Sequence, residues 1–185
     1  NTPTNDGATP AFIAAQNGHM EALRVLAELG ADVDTPMNNG ATLALVAAQN
    51  GHLEVLRLLA ELGADVETPN NKGATPAFIA AGKGHLEVLR LLAELGASVE
   101  TPANNGATPA LAAARNGRLE VVRLLAELGA DVKTPKNNGA TPALAAAGKG
   151  HLEVVKLLAE LRANVNTPDN DGCTPALVAA EMGHV

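Results

Sequence analysis

The sequence predicts an all-α protein assembled from one two-helix unit used repeatedly along the chain. Three observations carry this. Thr9, Thr42, Thr75, Thr108, Thr141 and Thr174 recur every 33 residues without exception. Pro follows five of the six, with Leu43 the exception. The 185 residues are 46% hydrophobic but only 1% aromatic, with two Phe and neither Tyr nor Trp. A core without rings must be filled by many small, regular contacts of Ala and Leu, and self-similarity at a fixed period of this size marks a repeat architecture.

The same register carries Ala-Ala five residues after each Thr, then a glycine at Gly18, Gly51, Gly84, Gly117, Gly150 and Gly183. Leu-Ala-Glu-Leu, Gly-Ala-Asp-Val and Thr-Pro follow. The chain therefore divides into units 5–37, 38–70, 71–103, 104–136 and 137–169, with a sixth, 170–185, that stops halfway. Residues 1–4 match the end of a preceding unit, and 1–185 is expected to be a single domain.

Within a unit the elements follow in order. Thr9 caps a helix, with Pro10 at the first helical position, where a missing N–H costs nothing. Residues 10–16 form a short helix of small residues, ended by Asn17-Gly18. A second helix spans 20–29, with Ala22, Leu23, Val25, Leu26 and Leu29 on its apolar face and Glu21 in its first turn, where the helix dipole favours an acid. Gly30 takes the left-handed position that closes it. An extended pair of segments around an Asn-rich turn leads to Gly40. Arg162 stands where the other units have Gly30, Gly63, Gly96 and Gly129, which predicts a local weak point. The half unit leaves an apolar face uncovered, so the C-terminal end is expected to fray first.

The pattern Thr-Pro…Ala-Ala…Gly-His-Leu-Glu-Val…Leu-Leu…Gly-Ala-Asp-Val, kept in register over essentially the whole chain, resembles the ankyrin repeat. The resemblance implies a curved solenoid of stacked helix–loop–helix units, with hairpin-like loops projecting to one side beside a concave binding surface. One departure recurs. The family's Thr-Pro-Leu-His opening has Ala for its Leu, and Phe12, Leu45, Phe78, Leu111, Leu144 or Leu177 for its His. Apolar contact is expected in place of the family's histidine bonds between repeats.

Charge and residue usage narrow the function classes. A net charge of −7 argues against nucleic acid as partner. No stretch approaches 18 continuous apolar residues and no basic-then-apolar leader opens the chain. A soluble protein, cytoplasmic or recombinant and without membrane partner, is expected. The lone Cys173 excludes an intramolecular disulfide framework. His19, His52, His85, His151 and His184 share one slot, with Arg118 in the fourth unit. Stacked helices lie ~8–10 Å apart, too far to share a zinc ion, so each histidine is read as bonding a neighbouring loop. Glu21, Arg24 and Glu28, repeated as Glu54, Arg57, Glu61 and Glu87, Arg90, Glu94, read as a solvated helix face. Gly82-Lys83-Gly84 and Gly148-Lys149-Gly150 read as inter-helix turns, with no phosphate-binding motif. Neither Ser98 nor Cys173 has a plausible base nearby. No catalytic, metal or cofactor site is expected, and the chain is not read as an enzyme.

Function should sit where the units disagree. The residue after Thr-Pro varies as Met37, Asn70, Ala103, Lys136 and Asp169, and three before it stand Asp34, Glu67, Glu100, Lys133 and Asn166. Two after it, Lys72 breaks a run of Asn39, Asn105 and Asn138. The end of the first helix varies too, as Gln16-Asn17, Gln49-Asn50, Gly82-Lys83 and Arg115-Asn116. By the resemblance, the loop slots project beside the concave face. The partner-binding residues are therefore read as Asp34, Met37, Glu67, Asn70, Lys72, Glu100, Ala103, Lys133 and Lys136. Residues 1–103 carry 12 acids and 5 bases, whereas 104–185 carry eight of each, so the row changes sign along the stack and would orient a partner. Trp and Tyr, favoured at hot spots, are absent, so affinity should be modest. The expectation is a monomeric, non-catalytic protein-binding scaffold, engineered or consensus-like and without an evolved target. The alternative is a natural intracellular interaction module. It is favoured by Arg162 and by scatter at core slots such as Ile13, Val46, Ile79, Ala112, Ala145 and Val178.

Overall fold

Every first helix starts where a threonine hydroxyl can accept a backbone N–H. A computed structural model describes residues 3–184 and shows α1 (Pro10–Gln16), α3 (Leu43–Asn50), α5 (Pro76–Lys83), α7 (Pro109–Arg115), α9 (Pro142–Ala147) and α11 (Pro175–Glu181). In each, the capping Thr is extended and its side chain accepts from the residue three on, as Thr9 does from Phe12 N at 3.1 Å. Leu43 replaces Pro without loss of α3, because Thr42 still caps it. The second helices are α2 (Met20–Glu28), α4 (Leu53–Glu61), α6 (Leu86–Glu94), α8 (Leu119–Glu127) and α10 (Leu152–Glu160). Among the described residues there is no strand.

Glycine ends most of these helices by one device. Gly18 has φ +74°, and the amides of Gly18 and His19 bond back to the carbonyls of Ala15 and Ala14, the paired bonds of a Schellman cap. The second helix closes in the same way at Gly30. Arg162 forces the motif without glycine: at φ +62° it is the one described non-glycine residue with positive φ, and its amide and that of Ala163 still bond Ala159 and Leu158. One sequence expectation changes here. Gly82 and Lys83 lie inside α5, not in a turn, because Gly84 at φ +88° is the left-handed cap and its amide reaches Ala80 and Ala81.

Packing makes two parallel rows. Each first helix packs on the next first helix, each second helix on the next second helix, and within a unit the two pack on each other. The result is an ankyrin-type solenoid. Ala47, Ala48, Ala80 and Ala81 are fully buried between neighbouring first helices, while Leu56, Leu59, Leu89 and Leu92 fill the space between rows. Small residues on one row and leucines on the other explain how the core closes without aromatic rings.

Apolar side chains in the first and last units are more exposed than their equivalents in the middle ones. Val25 is 52% exposed whereas its equivalent one unit on, Leu58, is 2% exposed. At the other end, Leu152 and Leu177 are 49% and 47% exposed. The sequence foresaw only the C-terminal exposure.

Candidate functional site

The loops are closed by backbone and polar side chains. In each, the residue after Thr-Pro exchanges bonds across the turn. Met37 N donates to Ala41 O at 2.9 Å and Gly40 N donates to Met37 O at 2.8 Å. A side-chain oxygen then tightens it. Asn39, Asn105 and Asn138 each accept from the amide two residues on. Where Lys72 replaces that asparagine, Asn70 takes over, and its Oδ1 accepts from Lys72 N and Ala74 N at 2.9 and 3.1 Å. Asp169 does the same for Asp171 and Cys173. Two slots that vary together in the sequence are therefore two ways of closing one turn.

The acidic row also bonds between units. Asp34 Oδ1 accepts from Asp65 N at 2.9 Å, Glu67 Oε1 from Ser98 N at 2.5 Å, and Glu100 Oε1 from Asp131 N at 2.6 Å. Each carboxylate so placed stiffens the next loop. Lys133, next in the row, has no acceptor to offer Asn164. The exposed positions Asp34, Lys72, Glu67, Glu100 and Lys133 and the half-buried Met37, Asn70, Ala103 and Lys136 recur along the successive loops.

In three of the five loops an aspartate, Asp32, Asp65 or Asp131, accepts from the amide two residues on, and Ser98 and Asn164 take that place in the other two. The Asp34 amide and the Thr35 hydroxyl, donating to Asp32, hold its carboxyl below the usual 3.8. Thr68 and the Glu67 amide do the same to Asp65.

Two contacts between units were missed as such in the sequence. The asparagine opening each unit donates from Nδ2 to the carbonyl of its counterpart 33 residues earlier: Asn71 to Asn38 and Asn104 to Asn71, both at 3.1 Å, with Asn38, Asn137 and Asn170 continuing the ladder. Its backbone amide bonds the same neighbouring loop, as Asn71 N does Asn39 O at 3.0 Å. The signal was an asparagine present in every unit that no local turn demands. The histidines also bridge units. His52 Nε2 lies 2.9 Å from Gln16 O and His85 Nε2 3.1 Å from Gln49 O. The bond goes to the end of the preceding first helix, not to a loop. Among the described residues, no three His, Cys, Asp or Glu side chains gather as a metal site. On the outer helices, Arg57–Glu54, Arg123–Glu120 and Lys156–Glu153 form exposed i,i+3 pairs at 3.8, 3.8 and 2.8 Å.

Stacked two-helix units, tied edge to edge by a loop ladder, define a helical repeat solenoid whose loops bond one to the next along the stack. The profile for ankyrin repeats (3 copies) matches residues 1–70, 67–136 and 128–185, and the chain belongs to the ankyrin-repeat family. Members of this family are generally protein-interaction modules and typically non-catalytic. No curated protein matches the chain. No helix of the described residues is long and apolar enough to cross a membrane.

Proposed function

We propose that the chain is a non-catalytic, monomeric protein-binding scaffold, engineered or consensus-like in character and without an evolved target. Its units 5–37 to 137–169 and half unit 170–185 act as one binding domain. The contact is centred on the loop ridge and the inner helices beside it. One observation carries this reading: the framework repeats almost unchanged, while side-chain chemistry varies along one ridge. Lys133 and Lys136 give that ridge a basic end, against Asp34, Glu67 and Glu100 at the other. A partner would thus be oriented by charge more than by anchors.

Arg162 favours a second reading, a natural interaction module. A consensus sequence places glycine at a left-handed cap, whereas Arg162 holds φ +62° there.

The test is capture from a whole-cell lysate by the immobilised chain, compared with two charge reversals. Lys72, Lys133 and Lys136 to Glu alter the ridge; Glu28, Glu61 and Glu94 to Lys alter the outer helices. One saturable partner lost only with the first set supports a natural module acting through the ridge. No saturable partner supports the scaffold. Loss only with the second set places binding on the wrong face.

A further inference from the structure

Two departures from the repeat lie side by side in space. The third unit carries Gly82 where the first two have Gln16 and Gln49, and the fourth carries Ala112 where the first three have Ile13, Val46 and Ile79. Both truncations fall between α5 and α7. A Cβ built on Gly82 would meet only Ala112 Cβ at 3.5 Å and Asn116 Nδ2 at 3.6 Å. Gly148 makes the same deletion in the fifth unit, but there the Val178 side chain stands 2.8 Å from such a Cβ and fills the space. Between the third and fourth units the space stays open, as a cavity of about 320 Å³ with Phe78, Ile79 and Ala112 in its lining. It continues along the loops into a second hollow of about 560 Å³ that shares Phe78, Ile79 and Asn105.

The rim of this groove is basic. Lys83, Arg115 and Arg118 line the first hollow and Lys72 the second, with no acidic residue in either lining. All four are exposed, and none is among the ion pairs of the described residues. Two of them, Lys72 and Lys83, belong to residues 1–103, where 12 acids stand against 5 bases.

We propose that this groove binds an acidic peptide segment with one aliphatic side chain, the aliphatic group seated on Phe78 and Ile79 and its flanking carboxylates facing Lys72, Lys83, Arg115 and Arg118. The proposal rests on the reading above that the chain binds polypeptide. The apolar floor rewards a hydrophobic side chain, and the unpaired cations reward carboxylates on either side of it. A longer polyanion such as nucleic acid gains the same cations but meets the repulsion of the acidic remainder of the chain.

The probe is a fluorescein-labelled pentapeptide of four glutamates around a central leucine, titrated with the whole chain and read by fluorescence anisotropy. Saturable binding is expected, weakened about tenfold or more by raising salt from about 50 to about 300 mM. Gly82→Gln, which puts into the groove the side chain its sister units carry, should weaken binding about as much as Lys83→Glu with Arg115→Glu. Gly82 lies in a helix without positive φ, so the variant should melt no lower than the parent. If it fails to fold, the charge pair alone decides. Serine in place of the peptide's leucine should also lose affinity. Equal binding of a four-lysine peptide, affinity unchanged in both protein variants, or tighter binding of a short oligothymidine would each overturn the proposal. A lysate partner lost on reversing Lys133 and Lys136 but indifferent to Gly82→Gln sinks this groove and leaves the ridge reading standing. A partner indifferent to both sinks the two together.

Discussion

The imidazole of His85 lies across Gly51, its Nε2 3.1 Å from the carbonyl of Gln49, and a Cβ on Gly51 would stand 2.7 Å from its Nδ1. Gly51 thus serves twice: it takes φ +76° to end α3, and it leaves room for the ring of the next unit. Gly18 and Gly117 meet His52 and His151 in the same way, and Gly84 meets Arg118. That Arg118 substitutes here shows that the slot needs a long side chain over the glycine rather than a particular ring.

The two demands on Gly51 separate by comparison. Gly63 has φ +80° and nothing within 4 Å of a Cβ. Gly63→Ala should therefore cost only the left-handed backbone term, about 1–2 kcal/mol. Gly51→Ala should cost about 1 kcal/mol more, because the ring must shift. Adding His85→Ala should remove most of that excess. Urea denaturation of the parent, these three variants and His85→Ala alone completes the cycle; equal costs at Gly51 and Gly63 would show that the ring yields freely.

The asparagine ladder predicts a second effect. Asn104→Ala removes the bond from Asn104 Nδ2 to Asn71 O at an exposed site where water can replace it. The expected loss is at the low end for a hydrogen bond, about 0.5–1 kcal/mol. Asn105→Ala, which removes only the contact closing one turn, should leave coupling between the third and fourth units intact. Hydrogen exchange of the Asn104 amide, bonded to Lys72 O, distinguishes the two: it should quicken in the first variant and not in the second.

Acid should loosen the loops. The carboxyls of Asp32 and Asp65 sit below the usual 3.8 because loop amides and threonine hydroxyls donate to them. A depressed value in the folded state contributes stability above the unfolded value, and that contribution disappears as pH falls through the folded values. The melting temperature should therefore fall below about pH 4. Asp32→Asn with Asp65→Asn should flatten this acid limb and change little at neutral pH, since Asn164 already accepts from Asn166 N at 2.9 Å in the equivalent turn. An acid limb unchanged in the double variant would place the titration elsewhere.

What the sequence displayed and what it hid follow one physical rule. Thr9 with Pro10, or Gly30 after Leu29, act within a few residues of themselves, so the helices and their caps were legible locally. The ladder of Asn38 and Asn71 and the ring of His85 over Gly51 join residues about one repeat apart; their recurrence was visible but not their partner. Variation carried a second meaning that the sequence did not display. Asn70 and Lys72 were legible as change at a loop, but not as a pair that conserves a turn. Glu67 and Glu100 were legible as variable acids, but not as acceptors for an amide of the following unit. The groove at Gly82 needed two truncations in different units, neither of them notable by itself.

The C-terminal units should be the first to open, for reasons that add. Arg162 holds φ +62° where other units use glycine, at about 1 kcal/mol. Lys133 ends the run of carboxylates that reach Asp65, Ser98 and Asp131 from the preceding loop. Leu152 and Leu177 are about half exposed. Amides of residues 140–184 should exchange faster than those of 40–103, because in a solenoid each unit is stabilised by its neighbours. Arg162→Gly should restore about 1 kcal/mol by relieving the backbone, and Lys133→Glu should add about 0.5 kcal/mol if its carboxylate takes the Asn164 amide. The two changes touch different groups and should nearly add. Both should slow exchange in α9, α10 and α11 while leaving α3 to α6 unaltered. Faster exchange in residues 40–103 than in 140–184 of the parent, or slowing confined to the first units in the variants, would place the weak end of the stack at Val25 instead.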